Sequence, residues 1–239
     1  QKHNSALEKI QKSLEDYLET KRAAFARFYF LSNDELLEIL AQTKEPQAVQ
    51  PHLRKCFDAL VELDFGDQPK SIDIKAMLSP EGERIELGKN LKARGNVEDW
   101  LTAVETNMKV SLQKLMKAGL IDYFEKQRVD WVRSHPGQIV ATVAQIAWVI
   151  GTEAVLNNQS VSEGDGFVEQ YFGEAISSLD AWYEKNVVEL ETLTELVRSD
   201  LSKRERKIIV ALVTTDVHAR DIIETLRNDN VSSVDNFVW

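Results

Sequence analysis

The stretch from Phe28 to Leu40 reads FYFLSNDELLEIL, and it decides how the first part of the chain folds. A charged segment, QKSLEDYLETKRAAFAR, precedes it, and apolar residues recur every three or four positions between Asn4 and Arg27. This spacing predicts one face of an amphipathic helix about 36 Å long, from the helical rise per residue. The apolar residues of that face are Leu7, Ile10, Leu14, Tyr17, Leu18, Ala24 and Phe28. The stretch therefore predicts a corner, where this helix ends in an aromatic cluster and a second helix begins.

Helix-start chemistry defines the second half of this corner. Ser32 suits the N-cap position, and Glu35 follows three residues later, which gives the S-x-x-E capping box. Leu31 before the cap and Leu36 inside the helix complete a hydrophobic staple. We expect the aromatic side chains to pack inside the turn while Ser32 restarts the helix at a fixed angle. The predicted structural corner comprises Phe28, Tyr29, Phe30, Leu31, Ser32 and Glu35.

Beyond the corner, the predicted elements are helical except for one hairpin. The second helix is expected to end near Thr43, and a third to run from Val49 to Leu63. In SIDIKAML the apolar residues alternate with polar ones, as in a half-buried strand. SPEGE has the composition of a turn, and RIEL returns as a second strand, so residues 71–88 are predicted to form a β-hairpin.

The most apolar segment of the chain predicts a buried core helix. Pro136 opens PGQIVATVAQIAWVIGTEAVL, and Thr142 and Gln145 interrupt its apolar run. No uninterrupted apolar run approaches the roughly 18 residues that a transmembrane helix needs. We therefore expect this helix to lie in the middle of the protein core.

Three more helical segments complete the prediction. An apolar stripe starts at Val97, and Gly164 and Gly166 mark a later loop. Long helices then carry apolar residues from Val168 to Val197 and from Lys203 to Arg227. The fold class is mainly α, an elongated bundle of long antiparallel helices with one β-hairpin insertion. The predicted order is helices in 4–63, the hairpin in 71–88, helices in 97–227 and a terminal segment in 228–239.

The amino-acid composition excludes several classes of protein and kinds of site. The 239 residues are 43% apolar and 28% charged, which suits a folded chain with a hydrophobic core rather than a disordered one. The net charge of −10 argues against a general nucleic-acid binder. The single cysteine, Cys56, excludes an internal disulfide and is too few for a zinc site. The sequence starts inside a helical pattern and ends at VDNFVW, where no partner for its Trp is evident. We therefore expect a segment of a longer protein.

Nucleotide binding is not indicated by the one segment that resembles a phosphate loop. In EGERIELGKN, five residues separate Gly82 from Gly88, and Asn90 follows Lys89. The Walker A pattern requires four residues between its glycines and a Ser or Thr after the Lys. The segment also reads as turn and strand, whereas a phosphate loop leads into a helix whose N-terminus holds the anion.

Catalytic and metal-binding patterns are not indicated either. Asp216, His218 and Asp221 form the one tempting group, but Asp216 and His218 are two positions apart on a helix and face different sides. We therefore predict no catalytic, cofactor-binding or metal-binding residue. The hairpin tip is different, because a β element that stands out of a helical domain often contacts a partner. Contact with a partner and a simple connector both remain open for it.

The motifs taken together resemble a known family. LEDYLETKRAAFARFYFLSNDELLEIL resembles the linker region of dynein heavy chains, and the matches continue through QPHLRKCFDAL, the SPEGE turn, ARGNVEDWL, the WV..HPGQIV..VAQIAW stretch and TTDVHARDII. They follow the family's order over essentially the whole chain. LETKR and FLSNDELLEIL look more like axonemal than cytoplasmic dyneins. Ala26 departs from the family pattern FPRFYF, in which Pro fixes φ at the entry to the corner.

The resemblance implies a mechanical role. In this family the linker is a helical arm over a ring of six AAA+ modules, and it bends and straightens with ATP. This chain would be the C-terminal part of the linker, with the ring of the same heavy chain as its partner. ATP and Mg²⁺ would bind in the ring, and microtubules only through the rest of the motor. We expect this segment to bind no cofactor. We also expect neither nucleic acid nor a membrane as its partner.

The resemblance also assigns residues and a location. The hairpin is similar to the linker element that the ring approaches, and the chain end runs toward the first AAA+ module. The implied ring contacts are Met77, Glu81, Gly82, Glu83 and Arg84, and the implied junction residues are Asn236, Phe237 and Trp239. The implied location is the cytoplasm and cytoskeleton, in the axoneme of a cilium or flagellum. The alternative function is a static helical scaffold that docks another subunit, which would use the same amphipathic helices without nucleotide-linked motion.

Overall fold

The computed structural model describes residues 2–41, 45–68, 70–88, 91–157, 172 and 177–239. These residues divide into two compact units, Gln1–Leu112 and Gln113–Trp239. The described part is mainly helical, with eight α-helices and one small antiparallel sheet. The mainly α prediction is therefore confirmed, and the predicted hairpin is part of a sheet of three strands.

The first unit combines α-helices and 3₁₀ helices with the sheet. Its α-helices are α1 (Lys2–Ala24), α2 (Asn33–Ala41), α3 (Leu53–Cys56) and the first part of α4 (Val97–Glu125). Its 3₁₀ helices are Ala26–Phe30 and Pro46–His52, and its strands are β1 (Glu62–Asp64), β2 (Ala76–Leu78) and β3 (Arg84–Glu86). One hydrophobic core joins the corner, the sheet and the start of α4.

The prediction of a helix from Val49 to Leu63 is wrong. Helical structure ends at Cys56, and Phe57 is extended with φ −138° and ψ 124°. The segment then forms β1, an outer strand whose Leu63 is almost fully buried. The Gln50 side chain fixes this strand, because its amide donates to the Leu63 carbonyl at 2.7 Å and accepts from the Leu63 N–H at 3.0 Å. The apolar residues here fit the spacing of a helix as well as that of a strand. The two hydrogen bonds from Gln50 favour the strand.

The predicted hairpin is present but shorter than residues 71–88. Strands β2 and β3 pair antiparallel with Met77 opposite Ile85, and β1 pairs on the other side of β2 in the order β1-β2-β3. A three-residue loop closes the hairpin between Ser79 and Glu83, with Ser79 N–H donating to the Glu83 carbonyl at 2.9 Å. Gly82 adopts φ +83° in this loop, a left-handed conformation that favours glycine.

Among its described residues, the second unit contains the last part of α4 and four further helices. These are α5 (Arg128–Ser134), α6 (Gly137–Leu156), α7 (Leu179–Val197) and α8 (Lys203–Asn228). The prediction for α8 is confirmed within a residue, and Pro136 stands at the N-cap of α6 as expected. A second capping box, Ser202 with Glu205, begins α8, and the sequence analysis missed it.

The predicted long helix from Val168 to Val197 is interrupted. Helix α7 begins only at Leu179, because the Ser178 hydroxyl accepts from the Ala181 N–H at 3.1 Å and caps it. The predicted residues Val168 and Ala175 lie outside the described residues, as does the loop at 164–166.

Helix α6 is the core helix that its composition predicts. It is long and apolar enough to cross a membrane by those two criteria, yet ten of its twenty residues are buried inside the protein. Its contact with α7 is very close at Gly151, where a Cβ atom would lie 2.4 Å from the Trp182 ring. The Trp182 indole N–H donates to the Thr152 hydroxyl at 3.0 Å one residue further along. The absence of a side chain at Gly151 therefore lets the two helices pack.

The apolar face predicted for the first helix is buried only near its end. Leu18 is almost fully buried, whereas Leu7, Ile10, Leu14 and Tyr17 are exposed. The predicted amphipathic helix is therefore present, and only the end of its apolar face reaches the core.

Replacing Ala26 with Pro is expected to stabilise the chain by about 0.4–1 kcal/mol, because Pro restricts the unfolded chain. Ala26 is the first residue of a 3₁₀ helix, where the ring's fixed φ fits. Phe25 before it is extended at φ −137° and ψ 97°, which a following Pro tolerates. Denaturant unfolding measures the change. The control Ala23→Pro, inside α1, should instead lose about 3 kcal/mol. A destabilised Ala26→Pro would contradict the proposed geometry.

Candidate functional site

The corner is built on a three-residue period. Phe25, Phe28 and Leu31 are all buried, and the rings of Phe25 and Phe28 meet edge to face with centroids 5.0 Å apart. In a 3₁₀ helix, residues three apart lie on one face, so the two residues between Phe28 and Leu31 face away. Tyr29 and Phe30 are accordingly 56% and 68% exposed. The prediction that all three aromatic residues pack inside the turn is correct for Phe28 and wrong for the other two.

The capping box and the staple are both present. The Ser32 hydroxyl accepts from the Glu35 N–H at 3.3 Å, and the Ser32 N–H donates to Glu35 Oε2 at 3.0 Å. Leu31 and Leu36 on either side are buried. Glu35 also pairs with Lys55, which, together with the Ser32 hydrogen bonds, lowers the pKa of its carboxyl to about 2. The corner therefore restarts the helix through the residues that the sequence identifies.

Three basic side chains hold the corner, and the sequence analysis missed their role. Arg22 on α1 donates to Asn33 Oδ1 at 2.7 Å and to the Leu31 carbonyl at 3.3 Å, so it bridges the two helices. Lys21 pairs with the buried Glu98 of α4 at 2.5 Å, and this hydrogen bond raises the pKa of Lys21. The end of α1 is thus tied both to α2 and to α4, whose Glu98 lies 77 residues further along the chain.

Arg27 is the third of these side chains. It lies inside the 3₁₀ turn, donates to the Cys56 carbonyl at 3.0 Å and reaches Glu105 at 3.4 Å. Its guanidinium also lies over the Phe57 ring, 4.6 Å from the centroid. Charged residues on a helix usually indicate a solvated surface, and no local pattern distinguishes these three from such residues.

The predicted contact residues of the hairpin differ in burial. Met77 is buried in the core of the first unit and anchors the sheet, so it is not a surface contact. Glu81 and Gly82 are exposed at the tip, and Glu83 is half-buried beside them. The Ser79 hydroxyl accepts from the N–H groups of Glu81 and Glu83 at 3.2 and 3.1 Å. The tip is therefore an ordered, acidic loop on a rigid sheet.

Arg84 serves the sheet itself. Its guanidinium pairs with Asp64 on β1 at 2.6 Å and with Glu86 on its own strand. The two acidic residues hold the side chain across the outer surface of all three strands. The Arg84 hydrogen bond lowers the pKa of Asp64, so this pair is charged at neutral pH.

The terminal segment supports its Trp. The Trp239 ring packs against Trp148 of α6 with centroids 5.7 Å apart, so the expectation of a Trp without a partner surface is wrong. Asn236 forms a turn, with its side-chain oxygen accepting from Val238 N–H at 2.9 Å and its carbonyl from Trp239 N–H at 3.1 Å. Phe237 is fully exposed on the outside of this turn. Of the three predicted junction residues, only Phe237 presents a free apolar surface.

A buried ion cluster lies in the second unit. Arg128 at the start of α5 pairs with Asp216 on α8 at 2.5 Å and with Glu189 on α7 at 3.2 Å, and it donates to the Tyr123 hydroxyl at 3.1 Å. Burial raises the pKa of Tyr123 and of Asp216. One side chain therefore joins three helices, and Asp216 of the tempting Asp-His-Asp group forms an ion pair with it. In the sequence, no local pattern indicates that Arg128 joins these helices.

Replacing Arg128 with Met should cost about 3–5 kcal/mol in unfolding free energy, because Asp216 and Glu189 would lose their buried partner. Guanidinium unfolding followed by circular dichroism measures the loss. The control Arg198→Met removes an exposed Arg and should change stability by less than about 0.5 kcal/mol. A loss below about 1 kcal/mol at Arg128 would show that the cluster does not hold the helices together.

Glu35→Gln is expected to destabilise the chain at neutral pH and to have little effect near pH 2. The folded-state pKa of Glu35 is about 2, below its ordinary value of 4.5. Its carboxylate therefore contributes stability above pH 4.5, and this contribution is lost as the pH falls toward 2. Urea midpoints of both proteins across that range measure it. Glu8→Gln, at an exposed position on α1, is the control. A difference that stays constant with pH would exclude the charged cap.

The chain is similar in sequence to known proteins. Residues 1–119 match the family model described as dynein heavy chain, N-terminal region 2. The chain is 47% identical over 256 residues to dynein axonemal heavy chain 6 of Homo sapiens, which covers all of this chain and 6% of the relative. It is 44% identical over 239 residues to dynein axonemal heavy chain 12 of Mus musculus, covering 99% of this chain and 7% of the relative.

A third relative gives the same result. Dynein axonemal heavy chain 1 of Rattus norvegicus is 42% identical over 236 residues, covering 99% of this chain and 5% of the relative. The chain thus spans only a small part of the curated relatives that it matches. With identity at this level over essentially the whole sequence, and with its first half matching the family model, the chain belongs to the dynein heavy chain family.

Proposed function

We propose that this chain is the C-terminal part of the linker of an axonemal dynein, and that it transmits ATP-driven changes of the AAA+ ring into the power stroke along microtubules. The observation that carries the proposal is the match of the whole chain to axonemal heavy chains at 40–47% identity. The match of the first half to the N-terminal region of heavy chains supports the same part of the motor.

The corner is suited to transmitting force. A lever must keep the angle between its helices under load, and here Arg22, Lys21 and Arg27 connect α1 and the 3₁₀ turn to α2 and α4. The aromatic contacts beneath them are close-packed, and such a core is stiff. The corner is therefore proposed as a rigid elbow of the linker.

The hairpin tip and the terminal segment are the proposed contacts with the ring. Glu81 and Gly82 stand at the end of a sheet that Met77 anchors in the core, so a force applied at the tip reaches the unit directly. Phe237 presents an exposed aromatic ring beside the anchored Trp239, which suits a junction with the first AAA+ module.

The chemistry of the motor is assigned to the rest of the heavy chain. In this proposal ATP and Mg²⁺ bind in the AAA+ ring, the segment itself is not an enzyme, and microtubules are reached only through other parts of the motor. The location that follows is the cytoskeleton, in the axoneme of a cilium or flagellum. Purified chain should consequently release no phosphate from ATP above the rate without protein.

A static scaffold is the second candidate function. One observation favours it, because the corner contacts described above fix the angle between helices and provide no hinge. Such a segment would dock another subunit and would not move with nucleotide. The two functions therefore differ in one measurable quantity, the nucleotide-dependent position of this segment.

Energy transfer between fluorophores separates the two functions. A donor on the Glu81→Cys variant and an acceptor on the first AAA+ module of the intact heavy chain should change transfer efficiency clearly between the nucleotide-free and ATP-bound states. A second donor on another AAA+ module is the control, and its transfer to the same acceptor should change less. Unchanged transfer from Glu81→Cys in a motor with intact ATPase activity would establish the static scaffold.

A further inference from the structure

Among the described residues, the outer edge of strand β1 meets a side chain and no further strand. On its inner side β1 bonds to β2, for example through the Val61 N–H, which donates to the Leu78 carbonyl at 3.0 Å. Leu63 lies opposite Met77 of β2, yet its N–H and its carbonyl both bond to the Gln50 side chain. These two backbone groups therefore face away from the sheet, where a neighbouring strand would bond to them.

The Gln50 amide reproduces the hydrogen bonds of a strand. Its NH₂ group donates to the Leu63 carbonyl at 2.7 Å, and its oxygen accepts from the Leu63 N–H at 3.0 Å. In an antiparallel pair, a residue directly opposite exchanges the same two bonds. The backbone of Gln50 is itself held, because it lies in the 3₁₀ helix Pro46–His52 and its carbonyl accepts from the Leu53 N–H. The amide is therefore a fixed feature of this edge.

The outer edge of β1 can be reached from solvent beside the amide. A groove of about 470 Å³ lies there, lined by Gln50, Pro51, Arg54, Val61 and Glu62. An accessible outer strand is a template for pairing with another chain, and folded proteins protect it with charged residues or a covering element. The other outer strand, β3, carries the exposed charged residues Arg84 and Glu86. A chain that entered the groove at β1 would find the Leu63 groups already bonded.

We infer that Gln50 closes the sheet against strand addition, and that the strand it excludes is β1 of a second copy of this chain. In two copies related by a two-fold axis, the Leu63 residues would lie opposite each other and exchange both hydrogen bonds. Glu62 would then lie opposite Asp64 of the second copy, and like charges directly opposite each other destabilise a strand pair. These two acidic residues therefore form a second barrier to self-pairing. The inference concerns only the sheet and does not depend on the proposed function.

Two substitutions remove the two barriers separately. Gln50→Met removes both hydrogen bonds and keeps a side chain of similar length, whereas Glu62→Lys places a cation opposite Asp64 of the second copy. In analytical ultracentrifugation the double variant should form a dimer roughly tenfold tighter than the unsubstituted chain or either single variant. Added salt should strengthen pairing of Gln50→Met and weaken that of the double variant, because it screens repulsion in the first and attraction in the second.

Amide hydrogen exchange locates the contact. In Gln50→Met at low protein concentration, the Leu63 amide should exchange roughly tenfold faster, and in the double variant it should regain protection as the dimer forms. Val49→Ala combined with Glu62→Lys is the matched control. Val49 is buried next to Gln50, so its truncation destabilises the chain and leaves the amide in place. This control should sediment like the unsubstituted chain.

The inference is overturned if the double variant stays folded by circular dichroism and does not dimerise, since Gln50 would then only stabilise β1. Equal dimerisation of the control or of Glu62→Lys alone would also overturn it, as would dimer-dependent protection confined to segments outside residues 61–65. If the double variant fails to fold, Gln50→Glu with Glu62→Lys replaces it. The carboxylate still accepts from the Leu63 N–H, and only the bond to the Leu63 carbonyl is lost.

Discussion

The three-residue period of the 3₁₀ turn is the constraint on which the first unit depends. It aligns Phe25, Phe28 and Leu31 on one buried face, and it turns the chain between α1 and α2. An α-helical continuation would rotate successive residues by 100°, and these three side chains would no longer meet the core together. The rest of the unit is arranged around this row, because the Phe57 ring and the start of α4 pack on it.

Charged side chains add further contacts between the elements that pack around this apolar row. Lys21 reaches the buried Glu98, and Arg27 reaches a backbone carbonyl and a carboxylate. In the second unit Arg128 performs the same task alone, joining three helices through Asp216 and Glu189. A buried ion pair contributes little net stability compared with apolar packing, but it penalises every arrangement that leaves a charge unpaired. In both units these ion pairs therefore disfavour arrangements that separate the paired charges.

Sequence reasoning succeeded where the signal is local. The capping box at Ser32, the end of α8 and the turn around Gly82 were all predictable from neighbouring residues. It failed where distant contacts decide, as in the strand β1, whose residues fit a helix equally well until Gln50 hydrogen-bonds to Leu63. The exposed face of Tyr29 and Phe30 was missed because the sequence does not distinguish a 3₁₀ turn from the last turn of an α-helix.

The ion pairs of the corner also have a consequence for synthesis of the heavy chain. Lys21 and Glu98 are 77 residues apart, and Arg27 and Glu105 are 78 apart. At ~5–20 residues per second, the ribosome needs roughly 4–16 s after making the basic residue before its acidic partner exists. The Phe25 and Phe28 rings and the Arg22 bridge to Asn33 can form early, but the contacts of the corner with α4 are missing during that interval. The corner therefore gains its two ion pairs with α4 only after α4 leaves the ribosome.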